Sequence, residues 1–207
     1  MSSSSFLTNP QIDLIADASV VINLNATLRA AEIIRALPAS FAVSENACAE
    51  LEAGVRNGHR DHGQLLELID AGLVKRIQVG SAGASVYESL IDGSTLRTLD
   101  DVEAATIACA HETGGAALID ERKARTLCAA LYPGLVVVST VELLMHDAVA
   151  AALGTQGQID AIVSALAIAR MRVPPEAIER VVALIGEKNA ATCLSLPKVA
   201  RAARATS

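Results

Sequence analysis

Short apolar segments that read as strands alternate with helix-like segments from residue 12 to residue 140 of the chain. The strand-like segments are residues 12–16, 41–43, 73–79, 116–119 and 136–138. Apolar residues at helical spacing fill the intervals, in residues 19–37, 45–55, 64–71, 84–91, 100–112 and 121–131. Strands that alternate with helices indicate a parallel sheet with helices on both faces. We therefore expect an α/β fold, a small parallel sheet flanked by helices.

The chain after residue 140 contains helix-like segments only. They cover residues 141–153, 159–170 and 175–186, and a proline at residue 175 is typical of a first helical turn. We expect one domain over residues 11–145 and extra C-terminal helices over residues 146–207. The extension is expected to pack on the domain and to end in a flexible tail, and residues 1–10 to form a disordered lead.

The composition limits the functions that this chain of 207 residues can have. Aromatic residues make up 2% of the chain, too few for the stacking platforms of single-strand binders. The 17 basic and 23 acidic residues give a net charge of -6, which argues against holding nucleic acid by charge alone. A nuclease is compatible with this balance, because clustered carboxylates raise the acidic count and bound cations reverse their field locally.

Four cysteines stand far apart in alanine-rich segments and form no CxxC pair. They are Cys48, Cys109, Cys128 and Cys193. We expect buried free thiols without disulfides, and hence a cytoplasmic protein. The first residues lack the basic and apolar regions of a signal peptide, and no apolar stretch is long enough to span a bilayer, so no membrane association is expected.

Four acidic residues lie at starts or ends of predicted elements, where they could converge. Asp17 ends the first strand and Asp120 ends the fourth. Glu50 lies in the helix after the second strand, and Glu103 lies in the first turn of the helix before the fourth. Open α/β sheets bind their ligands at the carboxyl ends of the strands. The pattern therefore predicts a cluster of carboxylates at that edge.

Such a cluster suits the hydrolysis of a phosphodiester with the help of hard divalent cations. No glycine follows Asp17, so this turn cannot bring the backbone close to a dinucleotide phosphate. Mg²⁺ prefers oxygen ligands, usually one or two carboxylates with waters and substrate phosphates. Two such ions can clamp the attacking and leaving oxygens of a displacement at phosphorus.

Each acid also has a purely structural interpretation. Asp17 and Asp120 could cap the helices that follow them, and Glu50 could be an exposed helix residue. Asp100 and Glu103 fit a capping box, in which the Glu103 side chain only reaches back to a backbone N–H. The joint occurrence of the four acids, in this order and on this alternation of elements, favours a functional site.

The acids stand in four segments whose order along the chain resembles a known family. The segments are residues 17–24 (DASVVINL), 49–51 (AEL), 102–108 (VEAATIA) and 118–125 (LIDERKAR). Over residues 12–145 they resemble the PIN domain, and most closely its bacterial and archaeal branch related to VapC-type toxins. The resemblance implies a small parallel sheet flanked by helices, in which acids gather Mg²⁺ or Mn²⁺ at one edge to cut RNA.

The resemblance implies a role for each residue of the predicted site. The catalytic acids would be Asp17, Glu50, Glu103 and Asp120. The metal ligands would be Asp17, Glu103, Asp120 and Glu121. Ser19 would orient Asp17 or a water on its metal ion. The low positive charge leaves RNA contacts to local basic residues, for which Arg56, Arg122, Lys123 and Arg125 are the candidates.

The sequence thus predicts a metal-dependent endoribonuclease that hydrolyses RNA phosphodiester bonds. The resemblance further implies a toxin with a small antitoxin protein as partner, and a homodimer. Two features depart from the family pattern, because Val102 stands where a glycine is usual and the chain is longer than a typical toxin. The alternative is a PIN-like binding or regulatory protein without catalysis that docks a partner on its C-terminal helices. A receiver-like phosphoacceptor is a poorer interpretation, because no matching lysine ends a late strand.

Overall fold

The computed structural model of the chain describes residue 7, residues 9–92 and residues 98–202. Its five strands are β1 (Asp13–Ala16), β2 (Ser40–Ser44), β3 (Val74–Ile77), β4 (Ala116–Leu118) and β5 (Val136–Val138). They form one sheet in the order β3-β2-β1-β4-β5, and every neighbouring pair is parallel. This sheet confirms the predicted α/β fold.

Helices connect the strands and continue after the last one. They are α1 (Ala18–Ala26), α2 (Ala30–Ala36), α3 (Glu45–Val55), α4 (Asp61–Asp70), α5 (Ala84–Ile91), α6 (Asp101–Thr113), α7 (Arg122–Leu131), α8 (Thr140–Leu144), α9 (Asp147–Ile168), α10 (Ile178–Ile185), α11 (Glu187–Thr192) and α12 (Lys198–Arg201). A turn of 3-10 helix, Pro175–Ala177, leads into α10. In the part of the chain that the structure describes, no helix is both long enough and apolar enough to cross a membrane.

Alternate residues of each strand enter two apolar cores, one on each face of the sheet. Leu14 and Ala16 of β1 lie in the larger core, to which α1, α2, α8 and α9 contribute. Ile15 points to the opposite face and lies in the core formed with α5, α6 and α7. Strands buried on both faces read as continuous apolar runs. This is why β1, β2 and β4 could be located from apolar content, whereas the edge strand β3 exposes Lys75 and Arg76.

The chain reverses its direction across the sheet between β1 and β4. From β1 it passes through β2 to the β3 edge, and then returns to the other side of β1 to form β4 and β5. Such a reversal leaves a crevice at the carboxyl ends of the two central strands. Asp17 follows β1 directly and Asp120 lies two residues after β4, so both acids lie at this crevice.

The single helix predicted for residues 19–37 is wrong, because the structure forms two helices there, α1 and α2. Leu28 has a φ of 59°, in the left-handed region that a continuous helix excludes. The Thr27 hydroxyl donates to the Leu24 carbonyl at 2.5 Å and accepts the N–H of Arg29 at 3.1 Å. These side chain–backbone bonds compete with helical ones and let the chain turn.

The predicted helices of residues 141–153 and 159–170 also have different boundaries. The first is divided between α8 and α9, because the buried His146 caps α9 by accepting the N–H of Ala148 at its Nδ1, 3.1 Å away. The second belongs to α9, which resumes after an interruption at Gly154, where φ is 71°. Both segments are therefore helical, as predicted, but the positions at which the helices break differ from the prediction.

The C-terminal helices pack on the sheet domain. Helix α9 packs against α1 and α2, and α10 packs against α9. Leu7 is buried in the larger core as well. The rest of the predicted disordered lead up to residue 8 lies outside the described residues, as do residues 203–207 of the predicted flexible tail.

Two glycines make the tight passage from α6 into β4. Gly114 ends α6 with a φ of 65°, in the left-handed conformation common at helix C-termini. A Cβ on residue 115 would collide with the backbone carbonyl oxygen of Asp13 in β1. Gly115 therefore permits the close approach of β4 to β1, and with it the position of Asp120.

Candidate metal centre

A cavity of about 260 Å³ lies at the crevice between the ends of β1 and β4; we call it the acid cavity. Its acidic lining residues are Asp17, Glu50, Asp100, Glu103, Asp120 and Glu121. Ser19, Asn23 and residues 169–172 line it as well. The structure thus brings together every acid of the predicted site, and Ser19 with them. Their catalytic and metal-binding roles remain predictions.

Asp17 is buried at the base of the acid cavity, where it is 5% exposed. It occupies the N-cap position of α1, but its side chain makes no capping hydrogen bond, so helix capping does not explain it. Burial, together with repulsion from Asp100 and Glu50, raises the pKa of Asp17 to about 6. A hydrogen bond that Ser19 Oγ donates to Asp17 Oδ2, at 2.7 Å, opposes this rise. Ser19 thus contacts the first acid, and its role in orienting that acid for catalysis stays a prediction.

Glu103 belongs both to a capping box and to the lining of the acid cavity. The capping box is present: Asp100 Oδ1 accepts the Glu103 N–H at 2.8 Å, and Glu103 Oε2 accepts the Asp100 N–H at 3.4 Å. Glu103 also lines the acid cavity and is 6% exposed. Burial, then repulsion from Asp100 and Asp17, raises the pKa of Glu103 to about 7. Because the capping contact of Oε2 is long and uses one oxygen, it is compatible with a ligand role.

Asp120 is fixed by hydrogen bonds from two residues that the sequence analysis did not single out. Its Oδ1 accepts the backbone N–H of Thr140 at 2.7 Å. Its Oδ2 accepts from Thr140 Oγ1 at 2.5 Å and from Asn23 Nδ2 at 2.6 Å. Burial raises the pKa of Asp120, whereas these bonds and the nearby Arg125 lower it. Asp120 thus caps the first turn of α8 instead of α7, and little of its acceptor capacity is left for another ligand.

Glu50 and Glu121 lie at the rim of the acid cavity. Glu50 is an exposed residue of α3, although the neighbouring residues remove part of its carboxylate from water. This partial burial, with repulsion from Asp100, raises the pKa of Glu50. Glu121, a predicted metal ligand, forms an ion pair with Arg172 from the segment after α9. Its carboxylate is therefore already neutralised by the chain itself.

The donor set fits a divalent cation that is bound through two carboxylates. Within residues 9–92 and 98–202, no group of three or more His, Cys, Asp or Glu side chains stands ready to hold an ion by itself. Mg²⁺ commonly uses one or two carboxylates and completes its octahedron with waters and substrate phosphates. Asp17 and Glu103 are both buried, face one cavity and have raised pKa values. A cation between them would offset their repulsion, so these two are the residues best suited to hold it.

The four predicted RNA-binding residues do not lie together. Arg122 and Arg125 line a second cavity of about 690 Å³, which adjoins the acid cavity because Asp120 lines both. Lys123 donates a hydrogen bond to the Thr98 carbonyl and lines neither cavity. Arg56, an exposed residue at the C-terminal end of α3, lines neither cavity either.

Sequence reasoning missed three kinds of residue in this site. Asn23 and Thr140 fix Asp120, and Asp100 raises the pKa values of its acidic neighbours. Asn23 did carry a signal, because an amide between the apolar residues Ile22 and Leu24 needs a buried partner. Arg170 and Arg172 carried none, since only the path of α9 brings them to the crevice.

A known family matches the chain from the first strand to the C-terminal helices. The DUF3368 family model, described as a PIN domain, matches residues 13–187. The match includes all five strands, every residue of the acid cavity and, beyond residue 145, helices α9 and α10. No curated protein and no solved structure matches the chain significantly. Because the family model covers well over half of the sequence, this chain belongs to the PIN domain family.

Proposed function

We propose that this protein is a metal-dependent endoribonuclease that hydrolyses RNA phosphodiester bonds in the cytoplasm. PIN domains are generally nucleases and act on nucleic acids. The observation that carries the proposal is the convergence of six acidic side chains on one cavity at the crevice of the sheet. Burying carboxylates that repel one another destabilises a fold, and a cation bound between them would offset that cost.

The roles of the residues follow from their positions. Asp17 and Glu103 would hold Mg²⁺ or Mn²⁺, which when bound activates water and neutralises the charge that develops on the phosphate. Ser19 keeps the Asp17 carboxylate in one orientation through its 2.7 Å hydrogen bond. Asp120, fixed by Thr140 and Asn23, holds the opposite wall in place.

Glu50 is the acid best suited to accept a proton at the rim of the acid cavity. It is exposed, so that water reaches it, and its pKa is raised by partial burial and by Asp100. Among the four predicted catalytic acids, Asp17 and Glu103 would hold the cation and Asp120 is fixed by hydrogen bonds, so Glu50 is left for the role of general base. In this assignment Glu50 Oε1 or Oε2 takes the proton of the attacking water.

Cleavage of a fluorescent single-stranded RNA with Mn²⁺ present tests the proposal. We expect the Asp17→Asn variant to lose at least about 100-fold in rate, because a proposed ligand of the cation that stabilises the transition-state charge is removed. The Asp101→Asn variant makes the same change at an exposed residue outside the acid cavity and should cleave like the wild type. Undiminished cutting by Asp17→Asn would overturn the assignment.

The resemblance to VapC-type toxins extends the proposal to a toxin that is inhibited by a small antitoxin protein, and to a homodimer. A short reading frame that overlaps this one, with a product that copurifies and suppresses cleavage, would support the toxin role. Unchanged cell growth on expression of the active enzyme would contradict it. Sedimentation of the pure protein tests the dimer directly.

One observation favours a second candidate, a PIN-like protein without catalysis that acts through a partner. Arg170 and Arg172 line the acid cavity, and Arg172 pairs with Glu121. In this candidate the two guanidinium groups replace the cation. Absence of Mn²⁺ binding and of cleavage, combined with a stable complex with a cognate partner, would favour it over the nuclease.

A further inference from the structure

The second cavity, about 690 Å³ in volume, has the size and lining of a site for a small polar ligand. Helix α7 forms one wall with Arg122, Arg125 and Ala129, and the segment after α9 forms the other with residues 172–176. We propose that this cavity binds one nucleotide of the substrate strand, next to the nucleotide whose phosphodiester is cleaved. The proposal rests on the proposed function and adds a substrate subsite to it.

The two cavities adjoin. Asp120 and Arg172 line both of them, so they stand at the boundary between the acid cavity and the second cavity. A strand whose reacting phosphate lies among the acids can therefore pass this boundary and place its neighbouring nucleotide in the second cavity. The segment after α9, which belongs to the predicted C-terminal extension, supplies one wall of that path.

The charges around the second cavity leave one guanidinium available for a phosphate. Arg125 is held by the Ile119 carbonyl at 3.3 Å and by the carboxylates of Glu142 and Glu176 at 3.4 and 3.7 Å. Arg172 is paired with Glu121. Arg122 is exposed and has no ion pair within the described part of the chain.

Arg122 is therefore the residue that we assign to the phosphate of the bound nucleotide. A guanidinium fits phosphate geometry through paired N–H donors. Arg125 acts differently, because its three contacts fix it as a part of the wall. It is a positioning residue in this proposal and not a phosphate ligand.

The remaining lining suits a sugar and a base. Val173, Pro174 and Pro175 give a stiff apolar surface, and Pro197 adds to it. Ser195 Oγ donates to the Leu166 carbonyl at 3.1 Å, so its oxygen can still accept a hydrogen bond from a base. The second cavity thus offers an apolar surface to a base beside polar groups that can hold a sugar and a phosphate.

Binding of adenosine 5′-monophosphate in EDTA and low salt, followed by NMR or calorimetry, tests the subsite without metal or cleavage. We expect the wild type to bind it and Arg122→Gln to bind about tenfold more weakly, as the loss of one charge-assisted contact implies. Ala129→Phe, which fills the cavity from an exposed position of α7, should abolish binding. Arg180→Gln removes the same charge from an exposed position on α10 and should bind like the wild type.

Cleavage kinetics distinguish failure of this subsite from failure of the proposed function. If the subsite and the nuclease assignment are both correct, Arg122→Gln and Ala129→Phe raise KM for RNA while kcat changes little. Asp17→Asn instead lowers kcat. Wild-type KM in both subsite variants, or equal binding of the mononucleotide by the wild type and both variants, overturns the subsite and leaves the nuclease in place. Absence of mononucleotide binding to the wild type overturns it as well. Mononucleotide binding that depends on Arg122, without any cleavage, keeps the subsite and rejects the nuclease.

Discussion

Replacing Asp17 by asparagine should make the metal-free protein more stable at pH 8, although we expect the same change to abolish cleavage. The reason is that the Asp17 carboxylate is buried among other acids and is ionised at this pH only at a cost in folding free energy. Its neutral isostere keeps an oxygen that can accept the Ser19 hydrogen bond. Asparagine therefore removes the buried charge and preserves most of the local geometry.

The size of the effect follows from the raised pKa of Asp17. The folded protein has a pKa of about 6 at this residue, against 3.8 for an ordinary aspartate. As pH rises, the Asp17 carboxyl loses its proton in the unfolded chain before it does so in the folded protein. The stability that the protonated Asp17 contributes is therefore fully present below pH 4 and is lost as the pH rises through about 6, its pKa in the folded protein. This difference corresponds to about 3 kcal/mol above pH 7. Since Asp17 is only 5% exposed, solvent reduces this value little.

Urea unfolding in EDTA at pH 4 and pH 8 measures the effect. We expect the free energy of unfolding of Asp17→Asn to exceed that of the wild type by up to about 3 kcal/mol at pH 8, and by little at pH 4. Asp101→Asn is the matched control, for which we expect the opposite change in stability. Hydrogen bonds from Tyr87 and Asn46 lower the pKa of Asp101, so its carboxylate stabilises the folded protein when it is ionised. That variant should lose stability at pH 8. A less stable Asp17→Asn protein at pH 8, or a difference that does not change with pH, would refute the reasoning.

Three further substitutions test packing and hydrogen bonding elsewhere in the domain, each by urea unfolding. Thr140→Val removes the 2.5 Å hydrogen bond to Asp120 and should cost about 2 kcal/mol, whereas Thr140→Ser should retain most of the stability; equal stability of the valine variant would contradict this. Thr106 is buried, and its hydroxyl has no hydrogen-bond partner in the described part of the chain. Thr106→Val should therefore increase the free energy of unfolding by about 1 kcal/mol. A decrease would mean that the hydroxyl does have a partner. Gly115→Ala should lower the free energy of unfolding by about 2 kcal/mol, because the alanine Cβ would collide with the carbonyl of Asp13. Unchanged stability would show that β4 can move away from β1.

The fold and the positions of the acids could be predicted because they depend on local sequence. The strands β1, β2 and β4 are buried on both faces, so apolar runs reveal them. Asp17 and Asp120 follow two strands that proved to be neighbours, and the carboxyl ends of parallel strands meet at one edge. The capping box of Asp100 and Glu103 is likewise a local pattern, and the structure contains it.

The features that could not be predicted depend on contacts between distant parts of the chain. The bond from Asn23 to Asp120 joins residues 97 positions apart, and neither local segment specifies it. Arg172 reaches the acid cavity only because α9 packs on α1 and α2 before the chain turns back. The break at Leu28 was missed for another reason, since a left-handed leucine contradicts its own conformational preference and carries no sequence signal.

Titration of Mn²⁺ into the pure protein, with free Mn²⁺ followed by electron paramagnetic resonance, tests most directly whether the acid cavity holds a divalent cation. We predict that the wild type and Asp101→Asn bind Mn²⁺ alike. The double variant Asp17→Asn with Glu103→Gln should bind it at least about tenfold more weakly, because both proposed ligands are lost. Absence of binding to the wild type at millimolar Mn²⁺, or equally tight binding by the double variant, would contradict the account.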